Sequence, residues 1–183
     1  MKSPDRAAAI AAALTVIEQD ADDRGWNARP TLFGLFDIAP HRHAPWIGVR
    51  ELPVDEGVWQ LHEHIVPGLR LPYWVGLKAI TKHLTLPHTV TALRRWACGD
   101  SGALIGMAFL CEGGDTDAAS TVHPDGVPVR VLIGCDSDDR QYQVLRVRGA
   151  ASTTTTVLDS PPAAVRDTVV PQCLRRLLSC ARA

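Results

Sequence analysis

From Gly102 to Gly149 the chain carries three successive stretches whose apolar pattern a β-sheet buries best, and they limit the fold more than any other feature. "GALIGMAFLCEGG" is a continuous apolar run suited to a central strand, whereas "VPVRVLIGCD" and "RQYQVLRVRG" alternate and are joined by the polar turn "DSDD". The pattern predicts a three-stranded antiparallel meander, with a loop of about 15 residues between its first two strands. If Cys135 pairs with Arg140, then Ile133 faces Tyr142, Val131 faces Val144 and Val129 faces Arg146. The apolar pairs would mark the buried face, with Arg146 and Arg148 at its rim.

Around this meander the other segments read as helices and irregular chain. Ser3, Pro4 and Asp5 form a helix start: a capping hydroxyl, a proline whose missing N–H costs nothing there, and an acid in the first turn. The helix should run to about Ala21 with Ile10, Leu14 and Ile17 inward. Glu18, Asp20, Asp22 and Asp23 would then lie towards a solvated end, where they oppose the helix dipole. "RGWNARP" breaks the helix and "TLFGLFDI" reads as a buried strand ended by Pro40, so residues 1–38 make a helix plus a strand. Residues 39–76 are the least regular part, interrupted by Pro40, Pro45, Pro53, Pro67 and Pro72. Residues 77–99 read as two helices separated by Pro87, and the meander occupies 102–148. "GAASTTTTV" reads as a threonine-rich exposed linker. Residues 160–183 form a capped helix that Pro171 should kink or restart, with Leu174, Leu177 and Leu178 as its packing stripe. The order predicts an α+β fold, a single domain over 1–183 in which N-terminal and C-terminal helices pack on the meander.

Composition narrows the function classes. The 183 residues are 46% hydrophobic and 21% charged, with 19 basic against 20 acidic side chains, which describes an ordinary globular chain able to bury one core. A net charge of -1 gives no general pull towards nucleic acid or anionic membrane, and neither is expected as a partner. The five cysteines are odd in number and form no C-x-x-C pair, and three lie inside apolar runs, so they read as buried thiols in a reducing cytoplasm. The alanine-rich N-terminal stretch is bracketed by Asp5, Arg6 and Glu18 with no signal-type cleavage region after it, and no run of about 20 apolar residues occurs.

The segment "ALTVIEQDADDRGWNARPTLFGLFD", residues 13–37, resembles the N-terminal signature of a family of proteins from high-GC actinobacteria and their phages or plasmids: a helix, Gly-Trp, a proline and a Leu-Phe-x-Leu strand. "MAFLCEGG" and "GCDSDDRQYQVLRVRG" are similar to the meander of such proteins. The resemblance covers about a third of the chain. The family has no established activity, so what it implies is a source and no catalytic residue.

Three sets of residues are candidates for function. Trp46, Trp59, Tyr73 and Trp74 lie in the irregular segment; large aromatics there either fill the core beneath loops or form a recognition surface. His41 with His43, and His62 with His64, have the spacing at which an extended strand presents two imidazoles to one ion, as in a hydrolytic zinc site. Neither pair has the helical spacing of H-E-x-x-H, no acidic ligand declares itself, and seven histidines make chance pairs ordinary. Arg146 and Arg148 could hold a small anion, because arginine's planar fork suits phosphate. Cys111-Glu112, at a presumed strand end, would be a nucleophile only with a histidine base such as His83, His88 or His123. No G-x-S-x-G, Walker A or dinucleotide-binding glycine pattern occurs. The expected function is therefore non-enzymatic, with no cofactor: a cytoplasmic protein that binds a protein partner or itself. A metal-dependent hydrolase using the four histidines and a binder of a small anionic ligand are the alternatives.

Overall fold

The computed structural model describes residues 4–38, 46–60, 72–99, 102–115 and 126–183. The fold is α+β. Helix α1 (Pro4–Asp23) is followed by strands β1 (Thr31–Asp37) and β2 (Ile47–Glu51) and a 3₁₀ turn at Glu56–Gln60. Helices α2 (Tyr73–Leu84) and α3 (Val90–Ala97) come next, then β3 (Ala103–Asp115), β4 (Val127–Asp136), β5 (Gln141–Val147) and β6 (Thr154–Leu158). The short α4 (Ala163–Arg166) and α5 (Val169–Arg182) complete the chain. The strands form one sheet in the order β2-β1-β3-β4-β5-β6, every neighbouring pair antiparallel.

The central position of β3 explains its unbroken apolar run, because both faces of the sheet are covered. Ile105, Ala108 and Leu110 pack with Ile10, Leu14, Ile17 and Ala21 of α1 on one face. Leu104, Met107 and Phe109 pack on the other with Leu77, Leu93, Leu174 and Leu177 of α2, α3 and α5. Against β1 the register slips between Leu35 and Phe36, which face Gly106 and Leu104 and leave Ile105 as the extra residue of a bulge. That bulge puts Ile105 and Ala108 on one face despite their odd spacing.

The structure corrects several expectations. The meander, β3-β4-β5, is the middle of a larger sheet: the threonine-rich stretch pairs with β5 as β6 rather than forming a linker, and β2 forms in chain read as irregular. β-Branched threonines fit a pleated edge, and pairing with β5 supplies what sequence alone does not reveal. The β4–β5 register is one residue away from the expected one. Cys135 faces Gln141, Leu132 faces Val144 and Arg130 faces Arg146. The cause is the turn, where Asp139 adopts a left-handed backbone (φ 63°) and Asp136 N–H donates to the Arg140 carbonyl across three loop residues. A one-residue slip exchanges the faces, so Arg130 and Arg146 both lie on the α1 side. The C-terminal helix breaks at Asp167–Thr168, and Pro171 sits in the first turn of α5, where its missing N–H leaves no bond unmade. Ser3 lies outside the described residues.

Candidate functional site

The end of the β1–β2 hairpin carries Trp46, at 63% exposure the most exposed large apolar side chain among the described residues, with Ile38 at 47% across from it. They are tied through the backbone: Ile38 N–H donates to the Trp46 carbonyl at 3.0 Å, extending the ladder in which Asp37 faces Ile47. Leu52 N–H donates to the Leu32 carbonyl at 2.8 Å at the other end of the same ladder. Because antiparallel bonding alternates, residues 46, 48, 50 and 52 bond towards β1 and residues 47, 49 and 51 direct their backbone outward. Val49, also exposed on this edge strand, pairs with Leu35 and so lies on the opposite face of the sheet, the one that packs α1.

Helix α3 braces the strand beneath this surface. The Trp96 indole N–H donates to the outward Glu51 carbonyl at 3.2 Å. The Arg50 guanidinium lies 4.5 Å from the centre of the Phe36 ring and 5.0 Å from that of Trp96, and it donates to the Trp96 carbonyl. Those cation–π contacts hold the strand without filling its outer side. Tyr73 and Trp74, also exposed, lie in the first turn of α2 rather than in irregular chain.

Trp59 does not belong to this surface, which corrects the grouping expected from sequence. It is 8% exposed, stacks on Phe109 with ring centres 5.7 Å apart, and lies against Gly76 of α2, where a β-carbon would collide with it. A proline-interrupted segment needs an anchor to the core, and the 3₁₀ turn supplies it through this ring.

The arginine candidates divide. Arg146 is buried, and its guanidinium is already satisfied: Nε donates to both Glu18 oxygens at 2.8 and 2.9 Å, and Nη2 donates to Gln19 Oε1 at 2.9 Å. Asp22 Oδ2 lies 3.2 Å from its Nη1. The Glu18 hydrogen bond holds the guanidinium above its ordinary pKa, so Arg146 is permanently charged and internally neutralised. It cannot offer its fork to a free anion, which removes half of the expected anion site. Arg148 is exposed, with its guanidinium 5.5 Å from the centre of the Trp26 ring.

What sequence reading missed is the cluster around Arg146. Glu112, Arg130 and Arg146 face one another in a row across β3, β4 and β5, beneath the C-terminal end of α1. Arg130 is fully buried and donates to Glu112 Oε1 at 2.9 and 3.1 Å, to Glu18 Oε1 at 3.4 Å, to Asp22 Oδ1 at 3.3 Å and to the Gly25 carbonyl at 2.6 Å. Trp26 covers it, ring centre 4.5 Å from the guanidinium. Glu112 in turn accepts the Asn27 N–H at 2.7 Å, pinning the loop that leaves α1. Glu18 and Asp22 were expected near solvent; Glu18 is wholly buried because it neutralises two arginines. The cluster is a structural clamp with its donors consumed.

The remaining candidates carry no chemistry in the described chain. Burial, with Glu112 adding to it, pushes the Cys111 thiol up to about 12, so it stays protonated and is no nucleophile. Burial likewise pushes Cys135 up to about 12. His83 and His88 are exposed at the α2–α3 turn with ring centres 6.3 Å apart. His123 and both His pairs, His41 with His43 and His62 with His64, lie outside the described residues. Among the described residues no group of three or more His, Cys, Asp or Glu side chains is placed to hold a metal ion, and no helix is long and apolar enough to cross a membrane. No family model, no curated protein and no solved structure matches the chain.

Proposed function

We propose that the protein acts by binding a protein partner, with Trp46 as the anchor and Ile38 beside it on the outer end of the β1–β2 hairpin. The observation that carries this reading is the backbone-fixed pairing of two large, exposed apolar side chains at a sheet edge. Aromatic residues with few rotatable bonds lose little entropy on docking and dominate interface energetics, and a partner's apolar side chain would remove both from water at once. Tyr73 and Trp74 serve as a second contact of the same character on α2. The five cysteines are all free, which suits a reducing cytoplasm, but only Cys135 and Cys173 are buried as expected and Cys98 is exposed. The resemblance of residues 13–37 supports a role as an accessory protein of an actinobacterium or its phage or plasmid.

The test starts from a protein retained by the tagged wild-type chain from its source cells, identified, and then purified and titrated against the purified chain. Trp46→Ala should weaken that binding at least about tenfold, the effect of losing one interface anchor. Ile38→Ser should weaken it less, with the folded state unchanged by circular dichroism. Equal affinity in Trp46→Ala and wild type would reject this surface as the binding site.

A further inference from the structure

The opposite edge of the sheet is built differently. β6, the last strand in the sheet order, reads "TTTVL", without charge, proline or bulge, and Thr154, Thr155, Thr156 and Val157 are all exposed. Natural edge strands are normally protected by lysines, prolines, bulges or a covering segment. β2 shows such protection: it carries Arg50 and Glu51, and one outward carbonyl is taken by the Trp96 indole. β6 has none of these devices.

Its free backbone groups follow from the ladder. Arg148 N–H donates to the Pro128 carbonyl and Asp136 N–H to the Arg140 carbonyl, so the even-numbered residues of β5 bond towards β4 and the odd-numbered ones towards β6. Gln143 faces Thr156 and Leu145 faces Thr154, so residues 154, 156 and 158 bond inward. Thr155 and Val157 therefore direct both N–H and C=O away from the sheet.

We propose that this edge pairs with β6 of a second copy of the chain, antiparallel about a two-fold axis at Thr156, to give one continuous twelve-stranded sheet. In that register Thr155 of each copy forms a hydrogen-bonded pair with Val157 of the other, Thr156 meets its own counterpart, and Thr154 meets Leu158. Every pair joins β-branched or apolar side chains, and no charge meets a like charge. Asp159, just past the strand, falls opposite Thr153 of the second copy and is ion-paired inward to Arg140 at 2.7 Å. A foreign strand would find the same hydrogen bonds, but the uncharged edge and the self-matching register favour the chain itself.

Helix α1 widens the contact. The Thr15 hydroxyl lies 3.4 Å from that of Thr155, so α1 runs beside this edge. Exposed Ala8 and Ala12 share the Thr15 side of the helix at helical spacing. Two copies of α1 would meet over the seam through small side chains. That second layer matters, because a stable interface buries about 1,200 Å² or more in total and one short strand alone falls short of it.

The test is sedimentation equilibrium of the full chain, with hydrogen exchange read at residues 155 and 157. A concentration-dependent dimer is expected, its Thr155 and Val157 amides protected more strongly as the dimer fills. Thr155→Pro removes one outward donor while leaving the β5–β6 bonds in place, and Val157→Lys sets a cation on the seam at an exposed position. Each should raise the dimer dissociation constant at least tenfold. Should Thr155→Pro fail to fold, Val157→Lys decides alone. Trp46→Ala, at the far edge, should leave the dimer intact, which separates this seam from the partner surface. A monomer at every concentration, or a dimer indifferent to Val157→Lys, would overturn the proposal.

Discussion

Glu18 shows how much a single side chain can hold. A carboxylate at the end of a helix that also opposes the dipole is poorly placed on local grounds, yet this one is wholly buried between Arg130 and Arg146. Burying charge is unfavourable unless each ion is paired and its remaining lone pairs or protons are met, and here all six guanidinium nitrogens of Arg130 and Arg146 lie against Glu18, Asp22 or Glu112. The cluster contributes little if compared with an apolar core of the same shape, but removing one member leaves the others charged and dry. Glu18→Ala should therefore lower the unfolding free energy by about 3–5 kcal/mol, seen as a lower urea midpoint with an unchanged slope. Glu18→Gln, which keeps an acceptor oxygen but loses the charge, should fall between Glu18→Ala and wild type. A loss below about 1 kcal/mol for Glu18→Ala would mean that water reaches the arginines and that the clamp is worth no more than a surface ion pair.

At the scale of elements, the β4–β5 hairpin depends on Asp136. Its Oδ1 accepts the Asp138 and Arg140 N–H groups at 2.9 Å each, shaping the turn, and its Oδ2 accepts the hydroxyl of buried Tyr142 at 2.7 Å. A double-mutant cycle of Asp136→Ala with Tyr142→Phe should give a coupling of about 1–3 kcal/mol, because Asp136→Ala alone strands a buried hydroxyl and the double variant does not. Burial, with Asp136 beside it, raises the Tyr142 pKa above its ordinary value of 10.0. The unfolded phenol ionises first, so this contribution to stability is fully present below about pH 10 and is lost as the pH rises further. The alkaline decline should be shallower in Tyr142→Phe, and identical slopes would deny the shift. The same hairpin marks the limit of what the sequence made legible. Its strands and turn follow from apolar alternation and "DSDD", but the register rests on the left-handed Asp139, and no composition pattern reveals which of four polar residues takes that conformation. The arginine cluster was hidden for the same reason, since one residue of slip decides whether Arg130 meets α1 or the opposite face. β2 and β6 were hidden because short edge strands owe their state to a neighbour's open ladder rather than to their own pattern. The exposed Ile38 of the candidate site carries no sequence signal beyond being apolar.

At the scale of the molecule, one sheet serves two hydrophobic layers, and β3 belongs to both. The α1 layer buries Ile105, Ala108 and Leu110, while the layer of α2, α3 and α5 buries Leu104, Met107 and Phe109 on the same strand. Losing either layer would bare half of the side chains of the central strand to water, which removes the support that keeps the strand paired on its other face. The layers should therefore melt together although they never touch. Two tryptophans report on them separately: Trp26 covers Arg130 on the α1 side, and Trp59 stacks on Phe109 on the other. In each variant that keeps only one of these rings, the fluorescence midpoint should coincide with the circular-dichroism midpoint of the same variant, as a two-state transition requires. Leu14→Ala and Leu177→Ala, each emptying a fully buried position in a different layer, should lower the unfolding free energy by about 2–5 kcal/mol apiece, with both probes moving together. Their effects should add within about 0.5 kcal/mol, because the sheet separates the cavities. A Trp26 fluorescence midpoint lower than the circular-dichroism midpoint of the same variant, with Leu14→Ala moving only the Trp26 signal, would show instead that α1 is a detachable layer and that β3 stays paired with one face open.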